Sequence, residues 1–141
     1  MNFKHLIFMR DNLDLNQREM AEKLNVSKST YARWETGEKI IPLKHLINLC
    51  NITNNTLDYA IGLTEKKEHL KKKIKINISL IGHNIKNLRL KNNLSQEEFA
   101  KSINTTQSVI SAYENGHTLI QTSFLYDICN KYNVSSDKIL Y

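Results

Sequence analysis

The chain has 141 residues, 40% of them apolar and 24% charged, a balance typical of a soluble globular protein. No apolar run approaches the roughly 20 residues of a membrane-spanning helix, and the charged N-terminal residues lack the apolar core of a signal peptide, so we expect a cytoplasmic protein. The two cysteines, Cys50 and Cys129, lie far apart and lack metal-ligand spacing, which predicts reduced, buried thiols and neither a metal site nor another cofactor.

The net charge of +6 is unevenly distributed along the chain. Residues 1–64 carry eight basic and seven acidic side chains, and residues 77–141 carry six basic and five acidic ones. Residues 65–76 alone carry six lysines against two glutamates. Most of the excess charge therefore lies in one short central segment, which is typical of a solvated linker.

The sequence aligns with itself without a gap at an offset of 79 residues. The identities in this register include Arg10/Arg89, Leu15/Leu94, Gln17/Gln96, Glu19/Glu98, Ala21/Ala100, Asn25/Asn104, Ser29/Ser108, Glu35/Glu114, Gly37/Gly116, Leu46/Leu125, Cys50/Cys129 and Asp58/Asp137. The chain is therefore a tandem duplication. We expect domains at residues 1–64 and 78–141, joined by a basic linker at residues 65–77.

The first copy reads as a series of short helices. Apolar residues at helical spacing predict a helix at residues 3–12. Asn16 and Glu19 form a capping box, which predicts the start of a second helix. Asn25 follows this helix, and asparagine tolerates the left-handed backbone of a tight turn.

The rest of the first copy and the whole second copy follow the same plan. Ser27 is the predicted N-cap of a third helix ending near Gly37, and further apolar helices are predicted at residues 43–51 and 57–63. The matching signals of the second copy are the apolar stripe Ile81, Ile85 and Leu88, the capping box of Ser95 and Glu98, the turn at Asn104, the N-cap Thr106, Gly116, and helices at residues 123–132 and 136–140. With one proline and no β-hairpin signature, we expect an all-α protein with five helices per domain.

The second and third helices of each copy have the spacing of a helix-turn-helix, whose second helix enters the major groove of DNA. Ala21 and Ala100 are small where the two helices must cross closely, and Tyr31 and Ile110 are expected to face inward. The pattern Leu-x-Gln-x-Glu-x-Ala-x-x-Leu/Ile-Asn occurs twice in register. Two matches in register are far more specific than one.

Both copies resemble the phage λ repressor and Cro family, also called the XRE type. The second copy is the closer match, through Leu94-Ser-Gln-Glu-Glu-Phe-Ala, Asn104-Thr-Thr-Gln-Ser and Tyr113-Glu-Asn-Gly116. The resemblance covers nearly the whole chain except the linker. It implies five-helix domains, double-stranded DNA as the ligand and often dimeric binding. It further implies a transcriptional regulator, a repressor of its own or a neighbouring operon of phage or mobile-element type.

The resemblance also implies the site residues. The DNA-binding residues are Gln17, Ser27, Lys28, Ser29, Thr30, Arg33 and Lys44 in the first copy and Gln96, Thr106, Gln107, Ser108 and Ala112 in the second. Lys28 and Arg33 suit the O6 and N7 acceptors of guanine, and Gln107 suits adenine, whereas Ala112 offers only a methyl contact with thymine. The second domain is therefore expected to bind weakly, to bind a different half-site or to serve in dimerisation.

Two charged pairs are given a structural role by the same resemblance. An arginine of the first helix pairs in this family with the glutamate that ends the third. We therefore expect ion pairs between Arg10 and Glu35 and between Arg89 and Glu114, held partly out of water.

Several alternatives remain open at the level of sequence. The basic segment either is a solvated linker or lies along DNA phosphates. Homodimerisation through the last helices would use Ile61 and Leu63, or Ile139 and Tyr141. A second class of function is an antitoxin or phage-encoded inhibitor, with one domain on DNA and the second on a protein partner. An enzyme is not expected, because no acids, bases or metal ligands converge in the sequence.

Overall fold

A computed structural model describes residue 1 and residues 3–141. These residues form ten α-helices and no strand, apart from one isolated antiparallel bridge between Asn55 and His69. None of the helices in this part of the chain has both the length and the apolar character needed to cross a membrane. The chain divides into two compact units, Met1–Ile74 and Lys75–Tyr141. The prediction of an all-α protein with five helices per copy is confirmed.

The first unit is a five-helix domain. Its helices are α1 (Lys4–Asp11), α2 (Gln17–Lys23), α3 (Lys28–Thr36), α4 (Leu43–Thr53) and α5 (Leu57–Ala60). Helix α3 packs against both α1 and α2, and α5 packs against α1 and α4. Tyr31 of α3 is fully buried at the centre of this arrangement, as expected, and Trp34 one turn later is also part of the core.

The second unit repeats this order. Its helices are α6 (Ile78–Lys91), α7 (Gln96–Ser102), α8 (Gln107–Glu114), α9 (Thr122–Tyr132) and α10 (Asp137–Leu140). Helix α8 packs against α6 and α7, and α10 packs against α6. Helix α6 is longer than α1, and its Gly82 passes the end of α8 so closely that an added Cβ would lie 2.1 Å from the carbonyl oxygen of Tyr113. Only glycine fits this helix crossing without displacing backbone.

The local signals for the helix ends are confirmed in both copies. The predicted capping boxes open α2 and α7, and the turns after these helices place Asn25 and Asn104 at φ of 58° and 56°. The side chains of Ser27 and Thr106 each accept a hydrogen bond from a backbone N–H of the helix that follows. The predicted fifth helix at residues 57–63 is too long, because Gly62 takes a left-handed φ of 81° just after α5 ends.

Two other expectations concern buried residues. Ile61 and Ile139 are 1% and 0% exposed, so they fill the cores of their own units. The prediction of a dimer contact through these two isoleucines is therefore wrong. Cys50 and Cys129 are both buried thiols, which confirms the prediction for these two residues.

The structure places the boundary between the units after Ile74, so most of the segment expected as a linker belongs to the first unit. Residues 65–74 form an ordered strap against α4, α5 and the start of α1, fixed by side-chain and backbone hydrogen bonds. Ile74, at its end, is only 4% exposed. We call residues 65–74 the strap.

Candidate nucleic-acid interface

A buried ion pair fixes the first helix of each unit to the end of the third. Arg10 Nε donates to Glu35 Oε2 at 2.8 Å and Arg10 Nη2 to Glu35 Oε1 at 3.1 Å, and the corresponding distances for Arg89 and Glu114 are 2.7 and 2.9 Å. Burial opposes ionisation of Glu35, but its hydrogen bonds, chiefly from Arg10, outweigh burial and hold the pKa of this carboxyl below its ordinary value. Both pairs have the bidentate geometry that suits arginine and carboxylate.

The glutamine that opens the second helix joins the same network. Gln17 Nε2 donates to Glu35 Oε1 at 3.0 Å, and Gln96 Nε2 donates to Glu114 Oε1 at 3.2 Å. These two glutamines, expected at DNA phosphates, therefore also connect the second helix to the third. The network sets the angle between the two helices on which a helix-turn-helix depends.

Cationic residues of the first unit surround a polar depression beside this network. The depression has a volume of about 400 Å³ and is lined by Arg10, Asn16, Gln17, Arg18 and Lys28. It brings together two of the predicted DNA-binding residues, Gln17 and Lys28. Arg18 was not predicted from the sequence, although its exposed guanidinium lies at the start of α2, where an anion is favourably placed.

The remaining predicted residues of the first unit lie on exposed positions of α3 and α4. Ser27 and Thr30 are engaged with each other, because Ser27 Oγ accepts from Thr30 N at 3.1 Å and donates to Thr30 Oγ1 at 2.8 Å. The Arg33 side chain is 54% exposed, with Nε 3.8 Å from a Glu38 carboxylate oxygen. Ser29 lies in the first turn of α3 and Lys44 in the first turn of α4.

Lys39 was also missed by the sequence analysis. It is exposed, and its backbone N–H donates to the carbonyl oxygen of Arg33 at 3.2 Å, which places it directly after the exposed side of α3. A comparison of the cations of the first copy with the equivalent residues of the second includes both Arg18 and Lys39, since each differs in charge from its equivalent residue.

In the second unit a hydrogen-bonded relay runs from the start of α8 into the core. Gln107 Nε2 donates to Gln96 Oε1 at 3.4 Å, and Gln96 Nε2 donates onward to Glu114. Because the Glu114 carboxylate only accepts, the orientation of both amides follows. The carbonyl oxygen of Gln107 and its second N–H have the donor and acceptor pattern that adenine requires.

The exposed side of α8 otherwise carries an apolar groove. The groove has a volume of about 290 Å³ and is lined by Ser108, Val109, Ala112, Tyr113, Thr118, Leu119 and Gln121. Two predicted DNA-binding residues, Ser108 and Ala112, therefore line a largely apolar surface. Thr106 lies at the start of the same helix, with its hydroxyl oxygen 3.1 Å from that of Ser108.

The two units differ most in the charge of this face. Seven exposed cations of the first unit have a neutral or acidic residue at the equivalent position of the second, and five of these lie at or near the predicted DNA-binding positions. These five replacements in the 79-residue register are Arg18/Glu97, Lys28/Gln107, Arg33/Ala112, Lys39/Thr118 and Lys44/Ser123. Because contacts with phosphate supply much of the affinity of proteins for DNA, the first unit has the stronger electrostatic basis for binding it.

Two copies of a capped helix, a left-handed asparagine turn and an exposed helix held by a buried ion pair define a tandem helix-turn-helix protein. The family comparison agrees. The chain belongs to the helix-turn-helix family HTH_3, whose family model matches residues 6–59 and 85–139.

Curated relatives match part of the chain. It is 43% identical over 56 residues to the antitoxin PezA of Streptococcus pneumoniae, a match covering 40% of this chain and 35% of the relative. It is 35% identical over 51 residues to the uncharacterized HTH-type transcriptional regulator YobD of Bacillus subtilis, covering 36% of this chain and 46% of the relative. A third relative, the uncharacterized HTH-type transcriptional regulator YqaE of Bacillus subtilis, is 38% identical over 47 residues, covering 33% of this chain and 40% of the relative. The matches thus span less than half of each relative.

Proposed function

We propose that the chain is a sequence-specific DNA-binding regulator of transcription, acting as a repressor of its own or a neighbouring operon, and that the first domain makes most of the contacts with DNA. The observation that carries this proposal is the cationic face of the first unit, where Arg18, Lys28 and Arg33 lie exposed around α2 and α3. Membership of a helix-turn-helix family and two relatives named as transcriptional regulators support it.

The first test is binding to the DNA upstream of the protein's own reading frame, measured by fluorescence anisotropy with excess nonspecific competitor. Two matched double variants would be compared with the wild type, Lys28→Ala/Arg33→Ala in the first domain and Gln107→Ala/Ser108→Ala in the second. Each good contact with a base contributes about 1–3 kcal/mol of discrimination. We therefore expect the first variant to lose nearly all preference for the upstream DNA.

The second variant separates two roles for the second domain. If it loses affinity as well, Gln107 and Ser108 contact DNA and both domains act on one operator. If its affinity equals that of the wild type, the second domain does not read bases. A wild-type protein with no preference over competitor would contradict the proposed regulation of its own operon.

A second candidate function is an antitoxin or inhibitor that uses the second domain on a protein partner. The apolar groove on α8 and the loss of five cations favour it, and one relative is named as an antitoxin. Ala112→Arg tests it, because this substitution fills the groove and restores the arginine found at position 33. If the groove binds protein, the variant will bind DNA at least as tightly as the wild type but lose its effect in a cell-based reporter. Normal reporter activity would exclude a protein contact at the groove.

A further inference from the structure

The strap is held against the first domain at both of its ends. At its start, the buried His5 has Nδ1 2.6 Å from the carbonyl oxygen of Tyr59 and Nε2 2.9 Å from Glu65 Oε2. At its end, Asn51 of α4 accepts from the backbone N–H of Ile74 at 2.8 Å and donates to the carbonyl oxygen of Ile74 at 2.9 Å. A side chain that completes both backbone hydrogen bonds of one residue fixes that residue in the way a β-ladder partner does.

The middle of the strap is held as well. The N–H of Thr56 donates to the carbonyl oxygen of Glu68 at 3.3 Å, and Asn55 and His69 form the isolated antiparallel bridge. The strap is therefore attached to the first domain at its start, its middle and its end, in contrast to the solvated linker that its composition suggests.

The strap's five lysines all lie at exposed positions. They are Lys66, Lys67, Lys71, Lys72 and Lys73. Of the strap's two glutamates, Glu65 binds His5 and Glu68 pairs with Lys66 at 2.9 Å. The fold thus presents several like charges on one short exposed segment.

This lysine-bearing segment is separate from the helix-turn-helix face. Lys44 lies at the start of α4, whereas the attachment point Asn51 lies seven residues further along the same helix. Seven residues of α-helix span about 10 Å. The strap therefore lies at the far end of α4 from the residues expected to contact the operator.

We propose that the strap is a second phosphate-binding surface of the first domain, which contacts a stretch of DNA backbone other than the one that faces α3. Because the strap is already attached to the domain, its lysines have lost part of the conformational entropy that binding would otherwise remove. They therefore bind a polyanion more tightly than the same lysines on a free chain would. Phosphates also relieve the mutual repulsion of the lysines. The proposal rests on DNA being the ligand of the helix-turn-helix face and adds a contact without sequence preference.

The test measures binding to a random-sequence DNA duplex as a function of salt concentration. Lys67→Gln/Lys71→Gln/Lys73→Gln removes three charges from the strap, and Lys86→Gln/Lys91→Gln/Lys131→Gln removes three from exposed positions of the second unit as a control. Log affinity falls as log salt rises, and each lost phosphate contact reduces the magnitude of this slope by about 0.9. We expect a decrease of about 1 to 3 for the strap variant and a much smaller one for the control.

A second pair of variants tests the attachment of the strap and not its charge. Asn51→Ala removes both hydrogen bonds to Ile74, whereas Asn130→Ala makes the same change at the equivalent exposed position of the second unit. We expect Asn51→Ala to bind the random duplex about threefold or more weakly, and Asn130→Ala to bind it as the wild type does.

Two results would overturn the proposal. One is a strap charge variant whose salt slope changes no more than that of its control. The other is an Asn51→Ala variant, folded by circular dichroism, that binds as tightly as the wild type or more tightly. Both results are measured on random-sequence DNA and do not depend on sequence preference. The proposed operator contact is tested separately, by the preference of Lys28→Ala/Arg33→Ala for the upstream DNA.

Discussion

The buried ion pair of the first unit provides a prediction that can be worked out from its geometry. Arg10→Met removes the guanidinium and leaves the carboxylate of Glu35, whose side chain is 3% exposed, with the hydrogen bond from Gln17. Removing one partner of a buried ion pair costs about 3–5 kcal/mol. The retained bond from Gln17 places the expected loss in the free energy of unfolding near 3 kcal/mol. A domain of this size has a total stability of only about 4–11 kcal/mol.

The assay is urea unfolding followed by tryptophan fluorescence. Trp34 is the only tryptophan in the chain and is 4% exposed in the core of the first unit, so its emission reports the unfolding of that unit. With a slope of about 1 kcal/mol per molar urea for a small domain, a loss of about 3 kcal/mol lowers the midpoint by about 3 M.

Two controls decide whether the reasoning is right. Arg89→Met breaks the equivalent pair of the second unit, so it should destabilise the protein by circular dichroism yet leave the Trp34 transition unchanged. Arg10→Met/Glu35→Leu removes both charges and should recover most of the lost stability, because an apolar pair pays no desolvation penalty. A loss of less than about 1 kcal/mol in Arg10→Met, the value of an exposed pair, would refute the argument.

Three further predictions follow from single residues. Burial opposes ionisation of Glu35, but hydrogen bonds outweigh it and lower the pKa of this carboxyl. The ionised form therefore contributes stability that is present above the ordinary pKa and is lost as the pH falls through the lowered value. Tryptophan fluorescence should show this acid sensitivity in the wild type, and its persistence in Glu35→Gln would contradict the assignment. Gly82→Ala should destabilise the second unit by about 1–3 kcal/mol, because the added Cβ would meet the backbone of α8. Urea unfolding followed by circular dichroism measures this loss, and an unchanged midpoint would show that the helices separate at no cost. Cys50 and Cys129 should react with a thiol reagent only in urea, since both are buried and burial raises the pKa of the Cys50 thiol. Rapid labelling of the native protein would contradict this prediction.

The helices could be predicted because their signals are local. A capping box such as Asn16 with Glu19, or a left-handed turn residue such as Asn25, acts within a few positions of the chain and is read directly from sequence. The extra length of the predicted fifth helix is an error of the same local kind, since the left-handed Gly62 lies inside the apolar run.

The strap could not be predicted in this way. Its composition is that of a solvated linker, and its attachments are tertiary: Asn51 binds Ile74 across 23 residues, and His5 binds Glu65 across 60. Only the packing of α1, α4 and α5 brings these groups together.

For the candidate interface, the resemblance supplied Lys28 and Arg33, and comparing the cations of the two copies in the 79-residue register supplies Arg18 and Lys39. Only the fold shows that Arg18 and Lys28 line the same depression.

The two copies show how a duplicated domain keeps its frame while its surface changes. The arginine, glutamate and glutamine network is present in both units with nearly the same distances. Losing the arginine or the glutamate would leave a buried charge without its partner, and losing the glutamine would remove one hydrogen bond to the carboxylate. The exposed cations are under no such constraint, since a surface charge contributes about 0–1 kcal/mol to folding. What the copies share is therefore set by folding, and what differs between them reflects what each face binds. Both copies match the same family model, yet the face of the second lacks five cations that the first copy carries. The ligand of the second copy therefore has to be argued from its own exposed residues and not from the family pattern that both copies share.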